Sequence, residues 1–115
     1  MKITITINDF FVVLPEIENI YNQELKMNIN TSLTFLKLYK EFNEVKTYIF
    51  QRLMLVIPQF NDVNYVLNDS EREIYENILK TTIDIDNHGL TLDMLTETEN
   101  LNISVQGIKK ILMIL

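Results

Sequence analysis

The sequence lacks several residue types on which common functional sites depend. Among its 115 residues there is no cysteine, which excludes disulfides, thiolate metal sites and cysteine nucleophiles. The only histidine, His88, excludes a multi-histidine zinc site or a histidine-based catalytic triad within one chain. Gly89 and Gly107 are isolated, whereas phosphate-binding loops need several neighbouring glycines. We therefore expect a protein that is not an enzyme and that uses no cofactor.

Basic residues and long apolar runs are also scarce. Ten Lys and Arg against sixteen Asp and Glu give a formal net charge of −6, which argues against direct nucleic-acid binding. The most apolar stretch, Tyr48 to Ile57, is interrupted by Gln51 and Arg52 and falls far short of the roughly 20 residues of a membrane span. The first residues alternate instead of forming the apolar core of a signal peptide. We expect a soluble protein of the host-cell cytoplasm or of a virion.

Alanine is missing as well, while Asn, Ile, Lys, Tyr and Phe are frequent. These preferences follow AT-rich codons, so the composition predicts an AT-rich source genome, with a phage or a low-GC bacterium as the leading candidates. Hydrophobic residues make up 47% of the chain and charged residues 23%, which is too apolar for intrinsic disorder. The length suits a single domain over residues 1–115 that buries about two thirds of its unfolded surface.

The stretch from Thr31 to Ile57 organises the rest of the chain. Large apolar residues recur every seven positions, which predicts one helix of about 40 Å: Phe35, Phe42, Ile49 and Val56. Asn30 or Thr31 is expected to cap it, and Pro58 to stop it. Its last turns are apolar nearly all round, so either the domain or another subunit must cover them.

Two interpretations compete at the amino terminus, after a predicted strand over Lys2–Ile7. In the first, Asn8 caps a helix that runs to about Leu25 with Pro15 inside it. In the second, Phe10–Leu14 is another strand and Pro15 begins a shorter helix. The helical stripe passes through the proline unbroken, which favours the first interpretation.

The second half of the chain alternates short helices with one strand. Ser70 and Glu73 fit a capping box for a helix that ends near Lys80. A strand over Thr81–Asp86 is the expected partner of the first strand. Thr91 is predicted to cap a short helix that stops near Asn100, and Ser104 to cap a last helix. The fold class is therefore mainly α (α+β), with four or five helices around one long central helix and a minor two-stranded β-sheet.

The run from Asp84 to Gly89 is the strongest candidate for chemistry. Its opening matches the spacing of a calcium loop, but His88 occupies the fifth position and Leu95 the twelfth, where a glutamate is required. The alternative interpretation is a strand whose solvent-facing residues are acidic, followed by a turn. We therefore expect no metal.

Two apolar stripes, Phe50–Ile57 and Ile103–Leu115, are candidates for either core or partner surface. Arg52, set among apolar residues, either extends its guanidinium to water or forms an ion pair across an interface. An exposed apolar tail would be adhesive, so the second stripe is expected to be buried internally or against a partner. The candidate interaction residues are Phe50, Arg52, Leu53, Val56, Ile108, Ile111, Leu112 and Leu115.

The order of these segments resembles a family of small phage and prophage proteins of unknown function from low-GC hosts. The resemblance lies in the opening Met1–Ile5, a helix that begins at Asp9, a long helix, and a helix running into Ile83–Asp86 before a Leu-rich carboxyl-terminal segment. This sequence departs from the family in its aromatic long helix and in Pro15. The resemblance implies a phage origin and assigns no catalytic residues.

Two functional hypotheses follow. The first is a non-catalytic, phage-encoded protein-interaction module that acts as a homo-oligomer or as an accessory subunit of a virion or host-takeover complex. The alternative is a small acidic inhibitor that blocks the nucleic-acid-binding groove of a host nuclease or polymerase, because an acidic surface complements a basic groove.

Overall fold

The computed structural model describes residues 1–115 and confirms the predicted fold class. Five α-helices, one 3₁₀ turn and two strands follow one another along the chain. In chain order they are β1 (Lys2–Thr6), α1 (Ile7–Tyr21), α2 (Ile29–Val56), α3 (Asp69–Leu79), β2 (Thr82–Asp86), α4 (Leu92–Thr96), α5 (Val105–Ile111) and a 3₁₀ turn (Leu112–Ile114).

The two strands pair with each other, as predicted, and they run antiparallel. Ile3 lies opposite Ile85, and the pair brings apolar side chains to one face of the sheet. On the other face, the hydroxyl of Thr4 donates a hydrogen bond of 2.6 Å to the carboxylate of Asp84. Both strands end within one residue of the predicted bounds.

The first interpretation of the amino terminus is confirmed, because residues 10–14 are helical. The predicted cap at Asn8 is wrong: the hydroxyl of Thr6 accepts a hydrogen bond of 3.0 Å from the backbone N–H of Asp9. Thr6 is the last residue of β1 and has an extended backbone, so strand and helix join without an intervening loop. Pro15 lies inside α1 on its exposed side.

Helix α1 ends at Tyr21, four residues earlier than predicted. The segment after it turns away to contact the carboxyl-terminal half of the chain. The backbone N–H of Glu99 donates to the carbonyl oxygen of Lys26 at 3.2 Å, and the two residues form an isolated antiparallel bridge. This pairing requires an extended backbone and so competes with continuation of the helix.

Helix α2 is unbroken over 28 residues and is the longest element. At about 1.5 Å per residue it measures about 42 Å, close to the 47 Å length of the whole molecule. Asn28 caps it by accepting a hydrogen bond of 2.8 Å from the N–H of Thr31. Neither of the two predicted candidates, Asn30 or Thr31, is the cap, which lies two residues before the first of them.

One face of α2 forms the core together with α1 and the sheet. The rings of Phe10 and Phe42 stack with centroids 4.9 Å apart, and both side chains are fully buried. A single buried cluster joins the strands, α1, α2, α4 and the carboxyl-terminal segment. Its α2 members are Phe35, Leu38, Phe42, Ile49 and Leu53.

The chain covers only one side of the apolar end of α2. Ile49, Leu53 and Ile57 are buried, whereas Leu55 is 75% exposed and Val56 49% exposed. Of the two alternatives for covering this end, complete coverage by the domain itself is therefore not found. Coverage by another subunit remains a prediction. None of the helices combines the length and the apolar character that crossing a membrane would require.

Helix α3 begins two residues before the predicted position. Asn68, not Ser70, is the cap, and its side chain accepts a hydrogen bond of 2.8 Å from the N–H of Glu71. The Glu71 carboxylate in turn accepts from the N–H of Asn68, which completes a capping box. The same carboxylate accepts from the hydroxyl of Tyr65 at 2.7 Å, and this hydrogen bond raises the pKa of Tyr65.

The two predicted caps of the carboxyl-terminal helices are confirmed. The hydroxyl of Thr91 accepts from the N–H of Met94 and begins α4, and that of Ser104 accepts from the N–H of Gly107 and begins α5. Helix α4 ends at Thr96, earlier than the predicted end near Asn100. The positive φ of 65° at Asn100 lies in the loop that follows.

Candidate functional site

An apolar groove lies between α4, the loop after it and α5. Its volume is about 350 Å³, within the range of ligand pockets. Six of its eight lining residues are hydrophobic, and no titratable side chain is among them. The lining residues are Leu92, Leu95, Thr96, Thr98, Leu101, Ile103, Ile108 and Ile111.

The loop wall of the groove is fixed to the opposite half of the molecule. The side-chain amide of Gln23 donates 2.7 Å to the carbonyl oxygen of Asn102 and accepts 2.9 Å from its N–H. The hydroxyl of Thr98 donates to the carbonyl oxygen of Met94, which fastens the loop to α4. Because both backbone groups of Asn102 are satisfied, the neighbouring Leu101 and Ile103 are held in place.

The helical wall is fixed by a close approach of α5 to α1. A Cβ added to Gly107 would lie 2.6 Å from the Glu16 carboxylate and 2.7 Å from the side chain of Ile103. Glycine at this position therefore allows the two helices to meet. The ammonium group of Lys110 lies 3.8 Å from the same Glu16 carboxylate. The groove is thus preformed in the isolated chain.

The lining of the groove determines what it can do. Without a titratable side chain it offers no general acid, general base or metal ligand. Covering the apolar walls with another apolar surface is favourable instead, and it stabilises a complex by about 25 cal/mol per Å² of apolar surface removed from water. Leu92 and Ile108 are both exposed at its rim. The groove is therefore suited to receive apolar side chains of another molecule.

The eight predicted interaction residues lie in different surroundings. Ile108 and Ile111 line the groove, Leu112 is exposed beside it, and Leu115 is partly buried against the core. The assignment of Ile111 to an exposed interaction surface is corrected. This side chain is 1% exposed, so it belongs to the core and forms the base of the groove. The turn after α5 buries Ile114, so the buried side of this segment differs from the predicted stripe.

The four predicted residues on α2 are likewise divided. Leu53 is 0% exposed and is a core residue, so its assignment to an interaction surface is corrected. Val56 is exposed. Phe50 is partly buried in a row of aromatic rings that links α1, α2, the next loop and α3 through centroid distances of 5.2 to 5.9 Å: Phe11, Phe50, Phe60 and Tyr75.

Arg52 is exposed and forms no ion pair with a carboxylate of its own chain. Its Nε donates 3.1 Å to the hydroxyl of Tyr48, and its guanidinium lies 5.1 Å from the centre of that ring. This cation–π contact holds the charge on the surface of α2. An ion pair of Arg52 across an interface remains a prediction.

The turn after β2 brings together charged groups without forming a metal site. His88 Nε2 is buried without a hydrogen bond, 3.7 Å from the Glu41 carboxylate. The N–H of His88 donates 2.8 Å to Asp86, and this bond together with the amino group of Met1 lowers the pKa of the Asp86 carboxyl. No group of three or more His, Cys, Asp or Glu side chains is placed to hold a metal ion.

The exposed carboxylates are spread over the surface. They occur in the loop after α1, on α2, on α3, on the outer face of β2 and around α4. An inhibitor that imitates nucleic acid would need them along one line, so this distribution lends no support to the alternative hypothesis, which remains a prediction. Examples from the separate elements are Glu24, Glu44, Glu73, Asp84 and Glu97.

Comparison of the chain with protein-family models, curated proteins and solved structures finds no match.

The predicted stripes contain only three of the eight residues that line the groove, namely Ile103, Ile108 and Ile111. Leu92, Leu95, Leu101 and Ile103 line it, but only the last falls within a stripe singled out in advance. Leu101 and Ile103 lie in an irregular loop, where no helical or strand periodicity marks an apolar residue as inward or outward. No local signal in the sequence distinguishes these residues, because apolar residues are about as frequent from 92 to 115 as in the whole chain.

Proposed function

We propose that the protein is a non-catalytic protein-interaction module, encoded by a phage, that acts as an oligomer or as an accessory subunit of a virion or host-takeover complex. It works in the host-cell cytoplasm or in the virion and binds neither nucleic acid nor membrane directly. The observation that carries this proposal is the preformed apolar groove between α4 and α5, which has no titratable lining residue.

The partner inserts apolar side chains into the groove from an exposed helix or loop. Leu92 and Ile108 lie at its rim and contact the partner first, while Leu95 and Ile111 form its buried base. Such an arrangement has the features of an interface hot spot, where a few fully desolvated apolar contacts supply most of the binding free energy. The surrounding polar surface then fixes orientation.

The test is purification of the complex from infected or native cells, followed by mass measurement of the intact assembly. We expect Ile108→Glu to lose the partner, because the charge would have to be buried in an apolar site. Val105→Glu is the matched control: Val105 lies one turn earlier on α5, is 77% exposed and does not line the groove. Retention of the complex by both variants would refute the assignment of the groove.

A further inference from the structure

The sheet has only two strands, so each strand has one outer edge. The N–H of Ile7 donates 2.9 Å to the carbonyl oxygen of Thr81, just beyond the end of the paired strands. In an antiparallel ladder the hydrogen-bonded pairs recur at every second residue, so the odd-numbered residues of β1 bond to β2. The N–H and C=O groups of Lys2 and Thr4 therefore point away from β2, along the outer edge of β1.

The outer edge of β2 is protected by the rest of the molecule. Helix α2 packs against this strand, and the Glu41 carboxylate accepts a hydrogen bond of 3.4 Å from the N–H of Asp86. Two residues of this edge, Asp84 and Asp86, are acidic, and charged residues on an edge strand oppose pairing with other strands. This edge is therefore closed at one end and negatively charged along the rest.

The outer edge of β1 lacks this protection. The strand contains no proline, bulge or carboxylate, and its one charged residue, Lys2, is at its first position. Lys2 and Thr4 are both exposed, and no loop or cap donates a backbone hydrogen bond to their outward-pointing groups. Four of the five residues are β-branched, which favours an extended backbone. Unpaired groups along such an edge are ready to pair with another strand.

We propose that the outer edge of β1 binds an extended segment of a partner protein, which joins the sheet as a third, antiparallel strand. Outward N–H and C=O groups recur at every second residue, about 7 Å apart, and the backbone of another strand has the same spacing. Main-chain hydrogen bonds of this kind supply the affinity in strand addition. The edge shares no residue with the apolar groove, so this binding site goes beyond the function proposed above.

The side chains of β1 define the sequence that such a segment needs. Ile3 is half-buried and Ile5 buried on the core side of the sheet, so the residues beside them should be apolar. On the other side, a threonine is a favourable neighbour for Thr4, and an acidic residue for Lys2. Because the added strand is antiparallel, the acidic residue comes last. The segment therefore alternates polar and apolar residues and ends in a carboxylate.

The probe is the peptide Thr-Val-Thr-Val-Glu, blocked at both ends and titrated into the full chain by NMR. In the free chain the amide hydrogens of Lys2 and Thr4 should exchange quickly, because they have no acceptor. The peptide should shift both signals and slow their exchange, since both N–H groups then donate to its carbonyl oxygens. The N–H of Ile5, which already bonds to β2, provides an internal reference.

Single N-methyl groups on the peptide test how its backbone is arranged. In the antiparallel strand the N–H of the third residue faces β1, whereas that of the fourth faces away. Methylation of the third nitrogen should weaken binding at least about tenfold, and methylation of the fourth should change the dissociation constant by less than about threefold. A parallel strand would reverse this order, which would overturn the antiparallel arrangement.

Variants of Thr4 test the protein side of the contact. Thr4→Pro removes an N–H from the outer edge and none from the ladder, a position at which proline is tolerated in sheets. It should lose the peptide. Thr4→Val is the matched control: both variants lose the hydroxyl bond to Asp84, but valine keeps the N–H and should bind within about twofold of wild type. Circular dichroism checks that both remain folded.

A groove variant separates this inference from the proposed function. Ile108→Glu should bind the peptide as wild type does, whether or not it loses the groove partner. Absence of peptide binding at millimolar concentration, or equal binding of the two methylated peptides, would overturn the proposal, as would retention of the peptide by Thr4→Pro. Self-association of the full chain that Thr4→Pro abolishes would identify the added strand as β1 of a second copy and overturn its assignment to a partner protein.

Discussion

The side-chain amide of Asn87 donates a hydrogen bond of 2.9 Å to the carbonyl oxygen of Ile114, 27 residues further along the chain. Asn87 is 3% exposed, and its side-chain oxygen also accepts from the N–H of Gly89. One polar side chain thus closes the turn after β2 and holds the 3₁₀ turn against it. Residues of this kind are buried only when both ends of the amide are satisfied.

Asn87→Ala should lower the free energy of unfolding by about 1–3 kcal/mol, because the carbonyl of Ile114 would remain buried without a donor. Asn87→Asp keeps the acceptor for Gly89 but loses the donor, so it should also destabilise the fold. Urea denaturation at neutral pH measures both. An Asn61→Ala control at an exposed loop position should stay within about 0.5 kcal/mol of wild type; a similar value for Asn87→Ala would show that the bond is unimportant.

The stacked pair at the centre of the core gives a larger expected effect. Phe42→Ala should destabilise the protein by about 3–5 kcal/mol, since it removes a fully buried ring and leaves a cavity beside Phe10. Phe42→Leu retains most of the volume and should cost clearly less. Thermal and chemical denaturation followed by circular dichroism would measure the difference. Equal losses for the two substitutions would contradict a packing origin.

Competing cap residues provide a direct test of where α3 begins. Asn68→Ala should cost about 1 kcal/mol, because the N–H of Glu71 loses its acceptor. Ser70→Ala should cost little, since Ser70 lies inside the helix and its hydroxyl caps nothing. Amide hydrogen exchange in residues 69–72 provides a local readout. A larger loss of stability in Ser70→Ala than in Asn68→Ala would show that Ser70 is the cap.

Stability at acid pH should depend on Asp86. The N–H of His88 holds the pKa of its carboxyl below the ordinary 3.8, and the amino group of Met1 adds to the effect. Folding therefore favours the ionised carboxylate: the stabilisation is present above about pH 4 and is lost as the pH falls through the lowered pKa. Asp86→Asn should lower stability near neutral pH and flatten its fall between about pH 5 and 2. Urea denaturation at several pH values measures this, with Glu97→Gln as an exposed control; an unchanged pH dependence in Asp86→Asn would contradict the assignment.

Helices and strands with a regular pattern of apolar residues over many positions were predicted correctly from the sequence. Helix α2 shows seven-residue repeats over its whole length, and the strands alternate cleanly, so their existence and pairing could be inferred. Caps were misplaced by two residues at three helices, because Thr, Asn and Ser stand close together before each start. Backbone hydrogen bonds decide between such neighbours, and composition does not distinguish Asn68 from Ser70.

The candidate site was predicted less completely. Helical spacing places Ile108 and Ile111 on one apolar stripe of the last helix. Only the packing of α5 on α1 at Gly107 determines that Ile108 lies at the rim of the groove and Ile111 at its buried base. Leu101 belongs to a loop whose position is set by the distant Gln23. Such contacts depend on tertiary structure, which local sequence patterns do not encode.

The pairing of β1 with β2 also sets an order of assembly during synthesis. Thr4 meets Asp84 across 80 residues of chain, so at about 5–20 residues per second the first strand emerges several seconds before its complement exists. During this interval α1 and α2 can already stack through Phe10 and Phe42. The small sheet closes only when β2 has been synthesised, and the contacts of α5 with α1 form later still. Until β2 arrives, β1 has an unpaired edge that is open to pairing with other chains.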